Sequence, residues 1–447
     1  MILDDIKVFC YFLKYELWNR KAIRYYHELQ KQQYLSIDEL ENINWQKRKS
    51  LISYACNKVP YYKKRFKSIG LNPEDIVHPE DYCKVPLLTK DDIRENFDQM
   101  ISEEAGPGTL RLSTTGGSTG EPLKIMFDKR VPLESLGWRH RGWWGVPPGL
   151  NEASVIRRTR ERRIDNLVNN ILWWPTVRVK LDASSMKIQD VEAFLKRFNR
   201  VRPKLIWGYV GAIDHVASFI EENSYNVIPP KAIWVTSSPL SEVQRKRIEK
   251  SFRAPVYEQY GCGEVFSISA QCIRREALHI FYDARFIEFI DDSGCSQPVG
   301  NIGDIAITDL ENYFFPIIRY VNGDMGRALP GKCPCGINLP IMDKVRGRRT
   351  DLIKLPNGTC LAEGVTTIFD NFPDAVKAFQ VRQAGDYSIK LLYVPNPDAD
   401  KLSEVLEKVY NKLLESTESQ VPITLEAVGA IPHDRGKLRY VISELTC

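Results

Sequence analysis

No stretch of this 447-residue chain carries the roughly 20 consecutive apolar residues needed to cross a bilayer. Its first residues, MILDDIKVFCYFLKYELWNRK, open with acids and keep charges throughout, unlike a secretory signal. The ten cysteines are therefore expected as reduced thiols of a cytoplasmic protein, and Asn357 in NGT is not expected to carry a glycan. A large excess of one charge sign is lacking as well. With 62 basic and 57 acidic residues the net charge of +5 is too mild to point to nucleic acid. There is no internal repeat, low-complexity tract or long linker. What remains, at 43% hydrophobic and 27% charged, is the composition of packed globular domains with a large core.

The texture changes twice along the chain. Residues 1–100 read as helical, because YYHELQKQQYLSIDELENINWQKRKSLISYACNKVPYYKKRF repeats apolar groups every three or four positions. Beyond Arg111 short apolar runs alternate with amphipathic helices: ASVIRR, then PKLIWGY before VGAIDHVASFIEEN, then KAIWVTSS before LSEVQRKRIEKSF. Ser241 and Gln244 have the spacing of a helix start. The alternation predicts an α/β fold, a large N-terminal domain of mostly parallel, helix-covered sheet. Ligands of such sheets bind beyond the carboxyl ends of the strands. From about Arg348, DLIKLPNGTCLAEGV, YSIKLLYVP, ADKLSEVLEKVYNKLLEST and ITLEAVG predict a small, mobile α+β domain. The boundary is set at 1–347 and 348–447, in the charged, glycine-containing KVRGRRTDLIK.

The stretch RLSTTGGSTGEPLKI is the first candidate site. Gly116, Gly117 and Gly120 permit tight turns that present consecutive backbone N–H groups to phosphate oxygens. Ser113, Thr114, Thr115, Ser118 and Thr119 add hydroxyl donors. No Gly-Lys-Ser/Thr follows, so it is not a Walker loop. Alone, the stretch reads equally well as a surface hairpin.

Four further pieces accompany it in order: YEQYGCGE ending at Glu264, IIRYVNGD ending at Asp324, GRRTDLIK from Gly347, and GKLRY with Lys437. The set resembles the adenylate-forming superfamily of acyl-CoA synthetases, adenylation domains and luciferases. Within it, NKVPYYKKRF and KVPLLTKDDIREN resemble the phenylacetate–CoA ligase family, in its capsular-polysaccharide branch. The resemblance implies a two-step ligase: a carboxylate attacks the α-phosphorus of ATP, giving acyl-AMP and pyrophosphate, and an acceptor then displaces AMP. By that likeness the glycine loop, Thr119 included, holds the departing phosphates. Glu264 helps hold Mg²⁺. Tyr260, followed by Gly261, offers an aromatic face to adenine, and Asp324 suits both ribose hydroxyls. Arg348 fits a ribose or phosphate contact. Lys437 stabilises the transition-state charge. Trp207, Tyr209, Thr236 and Ser237 lie where relatives build the acyl pocket.

Cys333 and Cys335 in KCPCGINLP, with Cys272 and His279 in QCIRREALHI, form a Cys₃His set suited to tetrahedral zinc, with buried free thiols as the alternative. Some relatives resemble this pattern and carry a structural zinc. Cys295, between the pairs, is a possible substitute ligand. RRTRERR from Arg157 is read as a solvated loop or an anion site, and FCYFLKYELW as a helix packed on the body or an interfacial one. The chain departs from its relatives in three places. Lysine falls one residue late, at Lys124; Thr350 precedes Asp351 where relatives carry the hinge aspartate; and LPNGTCLAEGV replaces the loop common in CoA ligases. The partners implied are a small carboxylic acid and an acceptor, either CoA or an amine or hydroxyl of a sugar or metabolite. The alternatives are a nucleotidyltransferase that stops at AMP transfer and a non-catalytic scaffold of glycan assembly.

Overall fold

The structure, a computed structural model, describes residues 2–114, 123–157, 172–345, 347, 352–361, 365, 367–431 and 440–445. Helices α1 (Ile2–Trp18), α2 (Arg20–Gln32), α3 (Ile37–Lys58), α4 (Pro60–Ser68) and α5 (Lys90–Glu95) open the chain. The hairpin strands β1 (Leu110–Thr114) and β2 (Lys124–Asp128) follow, then α6 (Glu134–Trp143), β3 (Glu152–Ile156) and β4 (Arg178–Asp182). Alternation continues through α7 (Ile188–Val201), β5 (Leu205–Tyr209), α8 (Val210–Glu222), β6 (Ala232–Thr236), α9 (Glu242–Phe252) and β7 (Val256–Tyr260). Next come β8 (Ser269–Gln271), β9 (Leu278–Ile280), β10 (Arg285–Ile290), β11 (Gly303–Asp309), β12 (Tyr320–Gly326) and β13 (Ile341–Met342). The chain ends with β14 (Ile353–Lys354), β15 (Cys360–Leu361), β16 (Val376–Gln383), β17 (Ile389–Pro395), α10 (Leu402–Ser416), β18 (Ile423–Ala427) and β19 (Val441–Ser443). Among the described residues no helix is long and apolar enough to cross a membrane.

The helical reading of the first hundred residues holds, and its boundaries have local causes. Ser36 caps α3 in a reciprocal box with Glu39, satisfying two otherwise orphaned backbone donors. Pro60 starts α4, where its missing N–H costs nothing. In α1 Tyr11 is buried and Tyr15 meets Trp138 edge-on at 4.8 Å between ring centroids, so FCYFLKYELW packs one side on the chain while Phe9, Leu13, Leu17 and Trp18 stay exposed.

Contacts gather the chain into two compact units, one of Met1–Lys14, Arg141–Glu258 and Val345–Cys447, the other of Tyr15–His140 and Gln259–Lys344. In the first, strands run parallel in the order β4-β3-β5-β6-β7. The interleaved α7, α8 and α9 bury their apolar faces on this sheet, with Phe194, Phe198, Ile213, Ile220, Ile248 and Phe252 in its core. Gly208 in β5 is required by close approach: a Cβ there would sit 2.1 Å from the carbonyl oxygen of Val155. Ser241 caps α9 as expected, accepting from the Gln244 backbone. The Gln244 side chain does not return the bond but faces Asp214 and Tyr440. The C-terminal sheet, ordered β18-β17-β16-β19, mixes parallel and antiparallel pairs and packs Val409 and Leu413 of α10 into its own core. Within this unit the C-terminal segment is tied to α9 by Tyr440 at Ser241 Oγ (2.8 Å), by Arg247 donating to the Lys377 carbonyl (2.8 Å), and by the Lys246–Asp374 pair.

The second unit holds the β1–β2 hairpin, the antiparallel sheet β10-β11-β12, and β13-β9-β8 pairing onto Gln259 and Tyr260 at the end of β7. Three buried arginines are each matched by an acid: Arg139 by Asp283, Arg285 by Asp309 and Arg319 by Glu288. Arg319 also donates to the carbonyls of Cys83, Val85 and Gly294, so its guanidinium is fully used. A buried pair of this kind stabilises only while both partners and their remaining hydrogen bonds are present. Arg319 itself stands at φ 50°, which turns the chain into β12.

Candidate active site

Two of the motifs meet in the second unit. β7 ends at Tyr260, and the turn beyond it closes when Cys262 N donates to Val265 O (3.0 Å) and Ile268 N to Tyr260 O (3.0 Å). Gly261 suits that turn, since a Cβ would lie 3.0 Å from Gln259 Nε2 and 3.1 Å from Ser267 N. β12 carries Tyr320, Asn322 and Asp324, and its pairing is irregular between Val321 and Met325, where Gly323 takes φ 85°.

The contacts between the motifs are polar and specific. Tyr260 Oη donates to Asp324 Oδ2 at 2.9 Å. Asn322 Nδ2 donates to Tyr260 Oη (2.7 Å) and to Asp324 Oδ2 (2.8 Å), while Asp324 N donates to Asn322 Oδ1 (3.0 Å). Tyr320 Oη donates to Glu264 Oε1 at 3.0 Å, and Glu264 is buried. Desolvation, then the Asp324 carboxylate, push the Tyr260 hydroxyl well above its ordinary pKa. Desolvation and Glu264 push Tyr320 up in the same way. The Cys262 thiol is also raised well above its usual value, first by burial and then by Glu264. The site therefore holds protonated donors against two carboxylates, a set that can receive hydroxyl groups at Asp324 and a hard cation at Glu264.

In the same unit, Cys272, His279, Cys333 and Cys335 converge, their ligand atoms all within 4.8 Å of one another. Cys272 Sγ lies 3.6 Å from Cys333 Sγ, and Cys335 Sγ lies 3.4 Å from His279 Nε2. His279 Nδ1 sits 3.3 Å from the Leu339 carbonyl oxygen, so the tautomer that donates there turns its lone pair at Nε2 toward Cys335. Burial pushes His279 down to about 4, leaving it neutral, and pushes Cys335 up to about 12. Backbone N–H groups of Arg274 and Ile337 point at Cys272 and Cys335 sulfur, at 3.4 Å each. Three thiols and one neutral imidazole fit tetrahedral zinc. Cys295 is exposed and stands outside this group.

In the first unit, Trp207 stacks on its cross-strand neighbour Trp234 at 5.4 Å between ring centroids. Trp144 stacks on Tyr257 at 4.9 Å and approaches Trp234 at 6.2 Å. Tyr209 and Thr236 close β5 and β6, where a ligand of a parallel sheet is expected. Ser237 stands at φ 79°, a backbone conformation uncommon for a residue with a Cβ.

Ser113 and Thr114 end β1, with Thr114 opposite Lys124 in β2. The rest of the glycine loop, Thr115, Gly116, Gly117, Ser118, Thr119 and Gly120, lies outside the described residues, as do Arg348, Thr350, Asp351, Lys437 and the arginines from Arg158 to Arg163. Sequence reasoning missed Tyr320, Asn322 and Cys262. Each lies inside a motif already marked by its acidic end residue, so the polar residues just before Glu264 and Asp324 were the available signal.

The fold and this site define a class. No family model matches the chain. It is, however, similar over nearly its whole length to Protein CapK of Staphylococcus aureus, at 24% identity over 95% of this chain and 94% of that one. It is also similar to a phenylacetate–coenzyme A ligase of Thermus thermophilus, at 22% identity over 91% and 96%. Among solved structures, 2-hydroxyisobutyryl-CoA ligase in the postadenylation state superimposes with a TM-score of 0.76 at 16% identity, covering 93% of this chain and 92% of its own. By these likenesses the chain has the fold of the adenylate-forming ligases and is phenylacetate–CoA ligase-like, which supports an AMP-forming ligase.

Proposed function

We propose that this chain activates a carboxylic acid with ATP as acyl-AMP, releases pyrophosphate, and passes the acyl group to an acceptor. The observation that carries this reading is the Tyr260–Asn322–Asp324 cluster, which joins motifs 64 residues apart around a carboxylate suited to a diol. Asp324 accepts the ribose hydroxyls, held in place by Tyr260 and Asn322. The Tyr260 ring lies against adenine. Glu264, oriented by Tyr320, would hold Mg²⁺, which when bound would supply charge neutralisation for the phosphates. Ser113 and Thr114 begin the loop that cradles the leaving phosphates, with Thr119 donating to them. Arg348 contacts ribose or phosphate. Lys437 stabilises the charge that develops as the carboxylate oxygen bonds the α-phosphorus and pyrophosphate leaves.

The acid is held beyond β5 and β6, near Trp207, Tyr209, Thr236 and Ser237, and the aromatic surface there suits a flat or aromatic acid. Cys272, His279, Cys333 and Cys335 would hold a structural zinc that ties together β8, β9 and the turn leading to β13. β8 pairs with Tyr260 itself, through Ser269. The acceptor is CoA, or an amine or hydroxyl of a sugar or metabolite in capsular or exopolysaccharide synthesis. LPNGTCLAEGV, which stands where CoA ligases carry a different loop, favours testing the second class beside the first. The deciding experiment is a screen of carboxylic acids for acid-dependent pyrophosphate release, followed by mass spectrometry of the product with each acceptor.

A further inference from the structure

Helix α1 is held to the body by one side and bare on the other. Asp4 pairs with Lys204 at 3.6 Å, Lys7 Nζ donates to Asn151 Oδ1 at 2.6 Å, Tyr11 is buried, and Lys14 Nζ donates to the carbonyl of Trp174 at 3.0 Å. These positions recur every three or four residues and so share one face. The opposite face is apolar from end to end: Ile2 is 76% exposed, Leu3 67%, Ile6 51%, Phe9 66%, Leu13 47% and Leu17 82%. Six such side chains present on the order of 700 Å² of surface. That exceeds the largest apolar patch of an ordinary monomer and approaches the ~800 Å² each partner gives to a standard interface.

We propose that this face is the dimer seam of the protein, covered by α1 of a second copy. Its spacing is self-complementary. With the helices antiparallel, residues whose numbers add to 19 face each other, which sets Ile2 against Leu17, Ile6 against Leu13, and Phe9 against Cys10. The parallel arrangement would bring Glu16 onto its own copy, whereas the antiparallel one sets Glu16 opposite Leu3. Charge argues against a lipid surface as the occupant. The flank of the stripe carries exposed Asp5 and a Glu16 already paired with Arg20, while Lys7 and Lys14 are turned to their own chain. Interfacial helices instead show Lys and Arg toward anionic headgroups.

The test is sedimentation velocity of the full chain at micromolar concentration. The wild type sediments as a dimer. Phe9→Glu with Leu13→Glu, both at exposed positions, sediments as a monomer, its dissociation constant raised about 100-fold or more by charge in an apolar seam. Its melting temperature and pyrophosphate release stay unchanged. Ile6→Lys gives the same result should the double variant fail to fold. A monomeric wild type overturns the proposal, and so does a dimer that survives the substitutions. A wild-type monomer that co-sediments with phosphatidylcholine vesicles containing phosphatidylglycerol, binding lost in the variant, assigns the face to lipid instead.

Discussion

Tyr260 and Asp324, from the end of β7 and from β12, meet through a 2.9 Å hydrogen bond that Asn322 reinforces from the side. The bond fixes a carboxylate beside an aromatic ring. Asp324→Ala removes the diol acceptor and leaves the Tyr260 hydroxyl without that partner. The expected result is ATP affinity weakened roughly 10- to 100-fold, in line with the 1–3 kcal/mol cost of losing charged hydrogen bonds, with a smaller change in kcat. Tyr260→Phe keeps the ring and weakens ATP binding less. Isothermal titration with ATP checks both, and unchanged affinity in Asp324→Ala removes this residue from the nucleotide site.

Tyr320→Phe separates orientation of Glu264 from its charge. Loss of a hydrogen bond to a buried carboxylate costs about 1–3 kcal/mol of stability, read as a lower melting temperature. If Glu264 holds Mg²⁺, the Mg²⁺ concentration for half-maximal pyrophosphate release rises in the same variant. A stability loss with an unchanged Mg²⁺ requirement leaves Tyr320 a purely structural residue.

How legible was this in the sequence? Strand and helix alternation was plain from Ala153 to Phe252, because each buried parallel strand is a short apolar run and each helix an amphipathic one. The polar geometry was less so. Periodicity says which face a residue takes but not which distant residue it meets, so Tyr320 reaching Glu264 across 56 positions left no local mark. Cys272, His279, Cys333 and Cys335 were legible as a group because their chemistry is rare, although Cys-x-Cys is shorter than the usual knuckle, and the structure brings the four together. For α1 the sequence left two readings open, because an apolar stripe reads the same whether its cover is the body of the chain or another molecule; the structure packs Tyr11 and Tyr15 and leaves Phe9, Leu13 and Leu17 exposed.

Removal of zinc gives a second kind of test. Purified protein is expected to carry close to one zinc per chain, and Cys333→Ser to lower both metal content and melting temperature, since thiolate–metal bonding contributes directly to folding free energy. Metal-free protein of full stability leaves only buried thiols at this position.

Alkaline pH should destabilise the fold through its tyrosines. Burial raises the hydroxyls of Tyr62, Tyr260, Tyr320 and Tyr440 above the ordinary value of 10.0. The unfolded chain ionises them near that value while the folded chain keeps the proton. Their stabilising contribution is therefore complete below pH 10 and falls as pH rises through the folded values. Melting temperature should drop from about pH 10 upward, with the slow tyrosinate absorbance appearing only as the chain unfolds. Full tyrosinate absorbance at pH 10 in a protein that remains folded contradicts this.

The central claim, activation of a carboxylate by ATP, is tested most directly by measuring acid-dependent pyrophosphate release in the wild type and in Lys437→Ala. The account predicts release that requires a carboxylic acid, and a loss of about 100-fold or more in the variant while ATP still binds, the size expected for one preorganised electrostatic donor. Near-normal release by Lys437→Ala, or release that proceeds without any acid, would contradict it.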